Sequence, residues 1–276
     1  MNARPRLLDL YCCEGGAGVG YQRAGFDVYG VDIDPKFAKR NPAPFHAGSA
    51  LDVLTALLAG DSIPFTWKDG PVGRLRLEDF AAIHASPPCQ GYSIATAGNP
   101  AARGKHERLI AATRALLEQT GLPWVIENVE QARSQMDAPI VLCGRMFGLR
   151  ADDEDGHPLV LDRHRLFESN VDLRAPAHPK HGGGQVAGVY GGGRRSSKRD
   201  ATPADDRYAA RHERKGGYVP RSRAVQQALL GIDWMSQYGM YQSLPPVYCE
   251  HIGAQLIRHH AAFDGLWARA TETAPA

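Results

Sequence analysis

The sequence predicts an α/β fold: a Rossmann-like, mostly parallel sheet with helices on both faces. Three observations carry that expectation. Leu7 to Cys12 is an apolar run broken only by Asp9, followed by Glu14-Gly15-Gly16-Ala17-Gly18-Val19-Gly20 and an amphipathic stretch to Ala24, which reads as strand, glycine turn and helix. Val28 to Val31 is a second strand ending in Asp32-Ile33-Asp34-Pro35, and an acid at the tip of the second strand is where such folds bind a ribose diol. Two further apolar runs, one stopping at Pro87-Pro88 and one at Glu127-Asn128-Val129, deliver polar side chains to what becomes the same sheet edge.

At 276 residues the chain accommodates one full α/β core with a smaller appended lobe. The expected division is a catalytic core over residues 1–169, a basic lobe over 170–223 and C-terminal helices over 224–276 that complete the core. The formal net charge of +2 says little by itself, because nucleic-acid binding depends on where charge clusters. Five cysteines without framework spacing point to reduced thiols in a cytoplasmic compartment, and no Cys/His spacing points to a metal. Met-Asn-Ala-Arg-Pro-Arg runs into the first strand without a signal-like apolar core, and no stretch approaches the roughly eighteen apolar residues of a membrane span, so no membrane partner is expected.

Cys89 stands in Ile83-His84-Ala85-Ser86-Pro87-Pro88-Cys89-Gln90-Gly91-Tyr92-Ser93. Two successive prolines cannot continue a ladder and hold the chain extended, so the thiol is displayed on a stiff turn where a strand ends. A free cysteine is more often a buried hydrophobe than a nucleophile; this setting favours the nucleophile. By itself the glycine turn with its downstream acid leaves three readings open, a nicotinamide-type cofactor, S-adenosyl-L-methionine or a plain tight turn. The spacing Gly16, Gly18, Gly20 departs from Gly-X-Gly-X-X-Gly, which weighs against a dinucleotide.

Pro87-Pro88-Cys89-Gln90-Gly91-Tyr92-Ser93 resembles the Pro-Cys-Gln-X-Phe-Ser loop of the cytosine-5 DNA methyltransferases, with Tyr92 in place of Phe. Other family motifs follow in the family's order over most of the chain. Asp9-Leu10-Tyr11-Cys12-Cys13-Glu14-Gly15-Gly16 is similar to the methyl-donor loop Asp-Leu-Phe-X-Gly-X-Gly-Gly, with Cys13 replacing one glycine. Glu127-Asn128-Val129 resembles the family's Glu-Asn-Val, and Arg163-His164-Arg165 its Arg-X-Arg, although Leu161 stands where the family has Gln. The Gly-Asp pair that reads the adenine amino group is matched by Gly48-Ser49, leaving Ser49 or Asp52 for that task. The family's Gly-Asn-Ser-Val is absent, and Leu244-Pro245-Pro246-Val247-Tyr248 is similar to the Pro-Pro-X-Tyr version of short bacteriophage members.

The resemblance implies a class I methyltransferase with a seven-strand-type sheet, S-adenosyl-L-methionine as donor and double-stranded DNA as substrate. It places Asp9, Tyr11, Glu14, Gly15, Gly16, Asp32, Ile33, Ser49 and Pro88 at the donor, and Cys89, Glu127, Arg163 and Arg165 at the chemistry. Cys89 would attack carbon 6 of cytosine and Glu127 would engage the ring nitrogen and amino group. Arg165 would hold the ring carbonyl, and Arg163 the loop or a phosphate. Two arginines two apart on a strand share a face, so both are expected to reach one site. Gln90, Ser93 and Arg103 belong to the loop that closes over an extruded base in this family.

From about Arg174 to Arg223 apolar periodicity fades and basic residues accumulate among glycine runs, including Arg194, Arg195, Lys198 and Arg199. Clustered positive charge on such loops suits phosphate contact, with a solvated linker as the plain alternative. This is where the family carries its target-recognition region. A monomer is implied, and a partner restriction endonuclease is compatible with the sequence. Three alternatives remain: the same chemistry on transfer RNA, a DNA-binding protein that has lost catalysis, and transfer of a modified group from an altered donor.

Overall fold

The computed structural model describes residues 4–68, 70–92, 108–182, 185–190 and 218–272, with side chains described as far as residue 261. Ser93, Arg103, Arg194, Arg195, Lys198 and Arg199 lie outside the described residues. Most of the basic stretch between Arg174 and Arg223 does too.

The core is a nine-stranded sheet. Its centre is β1 (Arg6–Leu10), flanked on one side by β2 (Asp27–Asp32) and β3 (Phe45–Ala47), all parallel. Strands β4 (Ile63–Trp67) and β5 (Gly70–Leu75) extend that edge as an antiparallel hairpin. On the other side β6 (Ala82–Ala85) and β7 (Trp124–Val129) continue in parallel. Strand β8 (Ile140–Leu142) forms the far edge, and the later β11 (Arg165–Ser169) is inserted antiparallel between β7 and β8. The sheet therefore has seven core strands with one reversed, plus the β4–β5 extension. A separate three-stranded sheet joins β9 (Arg150–Asp152), β10 (Pro158–Leu161) and β12 (Gln185–Ala187) in the order β12-β10-β9.

Helices cover both faces. One face carries α2 (Ala50–Leu58) and α3 (Ile110–Leu117), whose Val53, Leu54, Leu57, Ile110 and Leu117 pack with Leu8, Leu10, Ile83 and Ile126 of the sheet. The other carries α1 (Gly16–Ala24) and α6 (Pro246–Glu272), where Tyr21, Tyr248, Ile252 and Leu256 meet Leu7, Val125 and Phe167. The alternation of Leu7 to one face and Leu8 to the other explains why these central strands read as continuous apolar runs. The third cluster joins β10 and β12 to α4 (Arg223–Leu230) and α5 (Gln237–Gln242) through Leu159, Leu161, Ala187, Leu229, Leu230 and Met240. Ser222 caps α4 and Gly231 ends it with φ 68°, as a helix stop requires.

Helices α1 and α6 approach closely because glycines line their contact. A β-carbon at Gly20 would lie 2.1 Å from the Pro246 carbonyl oxygen and 2.7 Å from Cys249 Cβ; one at Gly253 would lie 2.7 Å from Ala24 Cβ. Gly20→Ala must therefore push two backbones apart. Its expected cost is about 2 kcal/mol, within the range for overpacking. Gly70→Ala, which meets nothing within 4 Å, should change stability by no more than about 0.5 kcal/mol. Urea unfolding of the two variants checks this contrast.

Candidate active site

The C-terminal ends of β1, β2, β6 and β7 share one sheet edge, because these strands are parallel neighbours. Beyond β6 the chain runs through Pro87 and Pro88, and the Tyr92 amide donates to the Cys89 carbonyl at 2.9 Å, closing a turn that presents the thiol. Asn128 Nδ2 donates to the Pro87 carbonyl at 2.9 Å and ties this loop to β7.

Register then brings the acid and the base together. Arg165 of β11 is paired with Val129 of β7, and Glu127 lies two residues back on the same face, so the diagonal contact is available. Arg165 Nε and Glu127 Oε1 are 3.1 Å apart, with only 14% and 10% of their side chains exposed. Burial pushes the Glu127 carboxyl above its ordinary range, opposed mainly by Arg165 and also by a hydrogen bond with Ser86. Burial likewise pushes the Cys89 thiol up, while Arg165 pulls it down and Glu127 raises it further. Thiol, carboxyl and guanidinium thus act on one another at one place. The electropositive setting expected for Cys89 is only half met, since desolvation outweighs the arginine.

Behind Glu127 runs a polar chain through the core. Ser86 Oγ is 2.9 Å from His84 Nε2, and His84 Nδ1 is 3.0 Å from the Tyr21 hydroxyl. His84 is fully buried and its pKa is lowered to about 3 by burial, so it is a neutral ring linking two hydroxyls. Sequence reasoning passed over Tyr21, His84 and Ser86. The available signal was His84 itself, a polar residue in the middle of the apolar strand before Pro87.

Arg163 is placed differently from expectation. It precedes β11, has φ 31°, and is 3% exposed. Its guanidinium donates to main-chain carbonyls of Ser243 (3.1 and 2.6 Å), Val189 (3.0 Å) and Tyr241 (3.0 Å). The strand periodicity that would align it with Arg165 does not extend to a residue in the left-handed region, so the shared face is not formed. Burial lowers its pKa to about 10. It clamps three segments together, and its charge also pulls down the pKa of both Cys89 and Glu127.

At the neighbouring strand ends the turn after β1 is unusually bent for non-glycine residues: Tyr11 has φ 61° and Cys13 φ 47°, followed by Gly15 at 84°. Cys13 therefore adopts the left-handed conformation that the family's glycine takes without strain, and its amide donates to Asp32 Oδ2 at 2.9 Å. Asp32 Oδ1 accepts from the Asp34 amide at 3.1 Å, so this carboxylate holds both loops of the crevice. Ile33 beside it is 75% exposed, an apolar side chain at the crevice without cover. The Tyr11 hydroxyl is 2.9 Å from Thr113 Oγ1.

Three other expected donor contacts are engaged internally. Glu14 is buried and accepts from the Ser236 amide (2.6 Å) and hydroxyl (2.7 Å), fastening the turn to the cap of α5. Ser49 is the N-cap of α2 and accepts from the Asp52 amide at 3.4 Å. Asp9 is 1% exposed inside β1, with Oδ1 unpartnered, and its pKa is raised to about 8 by burial, with Asp32 adding to the shift. Gly15 and Gly16 are kept glycine by packing as much as by any ligand: a β-carbon would lie 2.8 Å from Pro42 Cδ or from the Leu244 carbonyl oxygen. No Cys/His spacing in the sequence points to a metal, yet the fold brings Cys143, His164, His178 and His181 together with their ligand atoms within 4.8 Å of one another. They are brought together by folding from positions far apart in the chain.

No protein-family model and no curated protein matches this chain. Among solved structures, a candidate DNA modification methyltransferase encoded within an E. coli prophage aligns with TM-score 0.51 and 15% identity, covering 92% of this chain and 99% of that one. The fold is that of the class I methyltransferases. Dnmt2 of S. pombe aligns at TM-score 0.48 and 12% identity over 93% of this chain and 99% of its own. An RNA methyltransferase of Salinibacter ruber, in complex with S-adenosyl-L-homocysteine, aligns at 0.31 and 12% over 63% and 87% respectively. In the methyltransferase fold of this chain, no helix among the described residues is long and apolar enough to cross a membrane.

Two ionisations are testable. Because the Cys89 pKa is raised, thiolate is scarce at neutral pH and its alkylation by iodoacetamide should climb about tenfold per pH unit without levelling below pH 9. Glu127→Gln removes a raising charge and should speed it at fixed pH, whereas Arg165→Ala should slow it; peptide mass spectrometry at residue 89 reads both. For Asp9 the folded pKa exceeds the unfolded one, so its contribution to stability is highest below pH 3.8 and is lost as pH rises to about 8. Asp9→Asn should accordingly gain on the wild type by a few kcal/mol between pH 5 and pH 8 in urea titrations.

Proposed function

We propose that the protein is a DNA cytosine-5 methyltransferase that transfers a methyl group from S-adenosyl-L-methionine to carbon 5 of a cytosine extruded from duplex DNA. The observation that carries the reading is the Cys89–Glu127–Arg165 group, in which a thiol, a buried carboxyl of raised pKa and a fixed arginine influence one another at the ends of adjacent strands. Carbon 5 of cytosine is a poor nucleophile. Addition of the Cys89 thiolate to carbon 6 breaks the ring's aromaticity and makes carbon 5 enamine-like. Glu127, whose carboxyl burial shifts toward the protonated form, supplies a proton or hydrogen bond at ring nitrogen 3 as negative charge builds there. Arg165 then steadies both Glu127 and the ring carbonyl. After the methyl group is on carbon 5, a base removes the proton from that carbon, the carbon–sulfur bond breaks and the thiolate is released.

The donor supplies an electrophilic methyl on a sulfonium sulfur. The crevice suits such a molecule: Asp32 offers remaining lone pairs toward a diol, Ile33 an uncovered apolar surface, and Tyr11 through Gly15 a sharply bent turn beside them. Pro88 borders the same edge. Gln90 beside Cys89 and the basic stretch of residues 174–223, including Arg194, Arg195, Lys198 and Arg199, are proposed to meet DNA. That stretch forms the recognition lobe of residues 170–223 in this reading. A partner endonuclease and a monomeric state remain part of the proposal.

A second reading, a DNA-binding protein without catalysis, is favoured by one observation: Glu14 and Ser49, both assigned to the donor, are bonded internally. Calorimetry with S-adenosyl-L-methionine separates the readings, since absence of donor binding supports the second.

Purified protein should convert cytosine to 5-methylcytosine in duplex DNA and leave transfer RNA unmodified, as read by nucleoside mass spectrometry. Cys89→Ser should lower the rate by about 10³-fold or more and Glu127→Gln by about 10²-fold, with DNA binding retained. A duplex carrying 5-fluorocytosine should trap a covalent complex with the wild type and none with Cys89→Ser. Full activity in Cys89→Ser would overturn the mechanism.

A further inference from the structure

On the far side of β11 from β7, four side chains meet that the proposed reaction does not use. Cys143 follows β8, His164 immediately precedes β11, and His178 and His181 lie on the segment that leaves β11. Nε2 of His164 is 3.3 Å from Nε2 of His178, which is 3.4 Å from Nε2 of His181, and that atom is 3.7 Å from Cys143 Sγ. The ring centres are farther apart, 4.9–5.5 Å, and the ring planes lie within 18° of parallel, so the three imidazoles form a stack whose Nε2 atoms approach more closely than its ring centres.

The opposite ring nitrogens decide what these ends carry. His178 Nδ1 is 2.8 Å from the Pro179 carbonyl oxygen, which can only accept. His181 Nδ1 is 3.1 Å from Asp162 Oδ2, and His164 Nδ1 is 3.9 Å from Glu130 Oε2. A neutral imidazole that donates from Nδ1 has a lone pair, and no proton, at Nε2. For His178 and His181 two lone pairs then face each other at 3.4 Å, with a third nitrogen and a sulfur alongside. Such an arrangement is repulsive unless a cation sits among the four atoms.

We infer that Cys143, His164, His178 and His181 bind one zinc ion. A tetrahedral zinc with metal–nitrogen bonds of about 2.05 Å and a metal–sulfur bond of about 2.3 Å separates its nitrogens by about 3.3 Å and sulfur from nitrogen by about 3.6 Å. The observed separations of 3.3, 3.4 and 3.7 Å fit those edges. Three imidazoles and one thiolate are a borderline-soft set that suits zinc and leaves no open position, which marks a structural site. The oxygens behind Nδ1 of His178 and His181 are the outer support that fixes the tautomer of a metal-bound histidine. Asp162 also binds Arg145, whose Nη1 donates to the Gly182 carbonyl at 2.7 Å, so the metal and this arginine fasten the same stretch. The ion therefore pins the segment that leads from β11 toward the basic region.

The test uses the full chain purified without a histidine tag. Elemental analysis should find about one zinc per chain, falling at least tenfold in His178→Ala/His181→Ala, with circular dichroism confirming that the variant is folded. Cobalt exchanged into the wild type should give the visible bands of a tetrahedral ion and a sulfur-to-cobalt charge-transfer band. Cys143→Ser should lose the charge-transfer band. Wild-type protein that holds no zinc or cobalt after exposure to either ion overturns the inference, as does a folded double variant with undiminished zinc. Should the double variant fail to fold, the cobalt spectra of wild type and Cys143→Ser decide it, and a charge-transfer band unchanged by Cys143→Ser overturns it.

Discussion

The ion pair between Glu127 and Arg165 is the constraint around which the β7–β11 side of the sheet is arranged. Both groups are nearly removed from water, and a buried pair is stable only when each partner keeps the other's charge compensated. That demands that β7 and β11 be antiparallel neighbours in the observed register, because a slip of one residue would put the two side chains on opposite faces. The reversed insertion of β11 is thus tied to the site's chemistry. A second buried pair reinforces the same strand: Glu168 of β11 accepts two bonds from Arg114 of α3 and one from the Asp137 amide.

The strand ends on the other side of Cys89 obey a different constraint, close backbone approach. Glycines at 16 and 20 let α1 lie against Leu244 and Pro246, and the Pro-Pro-X-Tyr segment exploits that space. Its Tyr248 is fully buried, and the hydroxyl donates to the Arg163 carbonyl at 3.0 Å. The Pro245-Pro246-Val247-Tyr248 segment thus reaches back to the Arg163 turn, so the C-terminal helix fixes that turn through packing. Glu14 does the same for the turn after β1, through Ser236.

What was legible in the sequence follows from how local each signal is. Cys89 and Glu127 could be placed because prolines and an apolar run fix where a strand stops, and parallel neighbours bring such stops to one edge. Arg163 could not: its φ of 31° ends the two-residue alternation one step before β11 starts, and no residue near it in sequence announces that. Glu14 and Ser49 were read as ligands because motif position carries no information about a hydrogen bond to a residue such as Ser236. The Cys143 cluster escaped because its members span the β8 turn, the residue before β11 and the segment after it. Only His178-Pro179-Lys180-His181 has a recognisable short spacing.

Arg163 and His164 are neighbours in the chain just before β11, and the two are turned in different directions. Between Arg163 and Arg165 the chain must satisfy three demands in three residues. Arg163 turns back to the carbonyls of Val189, Tyr241 and Ser243, His164 faces His178, and Arg165 faces Glu127. Consecutive side chains of a regular strand point only two ways, so a third direction requires a departure from strand geometry, and the positive φ at Arg163 supplies it. A left-handed arginine costs on the order of 1 kcal/mol, and at least four hydrogen bonds from one buried guanidinium offset that. The strained residue thus couples the Glu127–Arg165 pair to two segments that follow β11. The segment at His178 is held through His164, and the one at Val189 through Arg163 itself. His164 and Arg163 stand one and two peptide units from Arg165, so a displacement of either segment reaches Arg165 through the backbone itself.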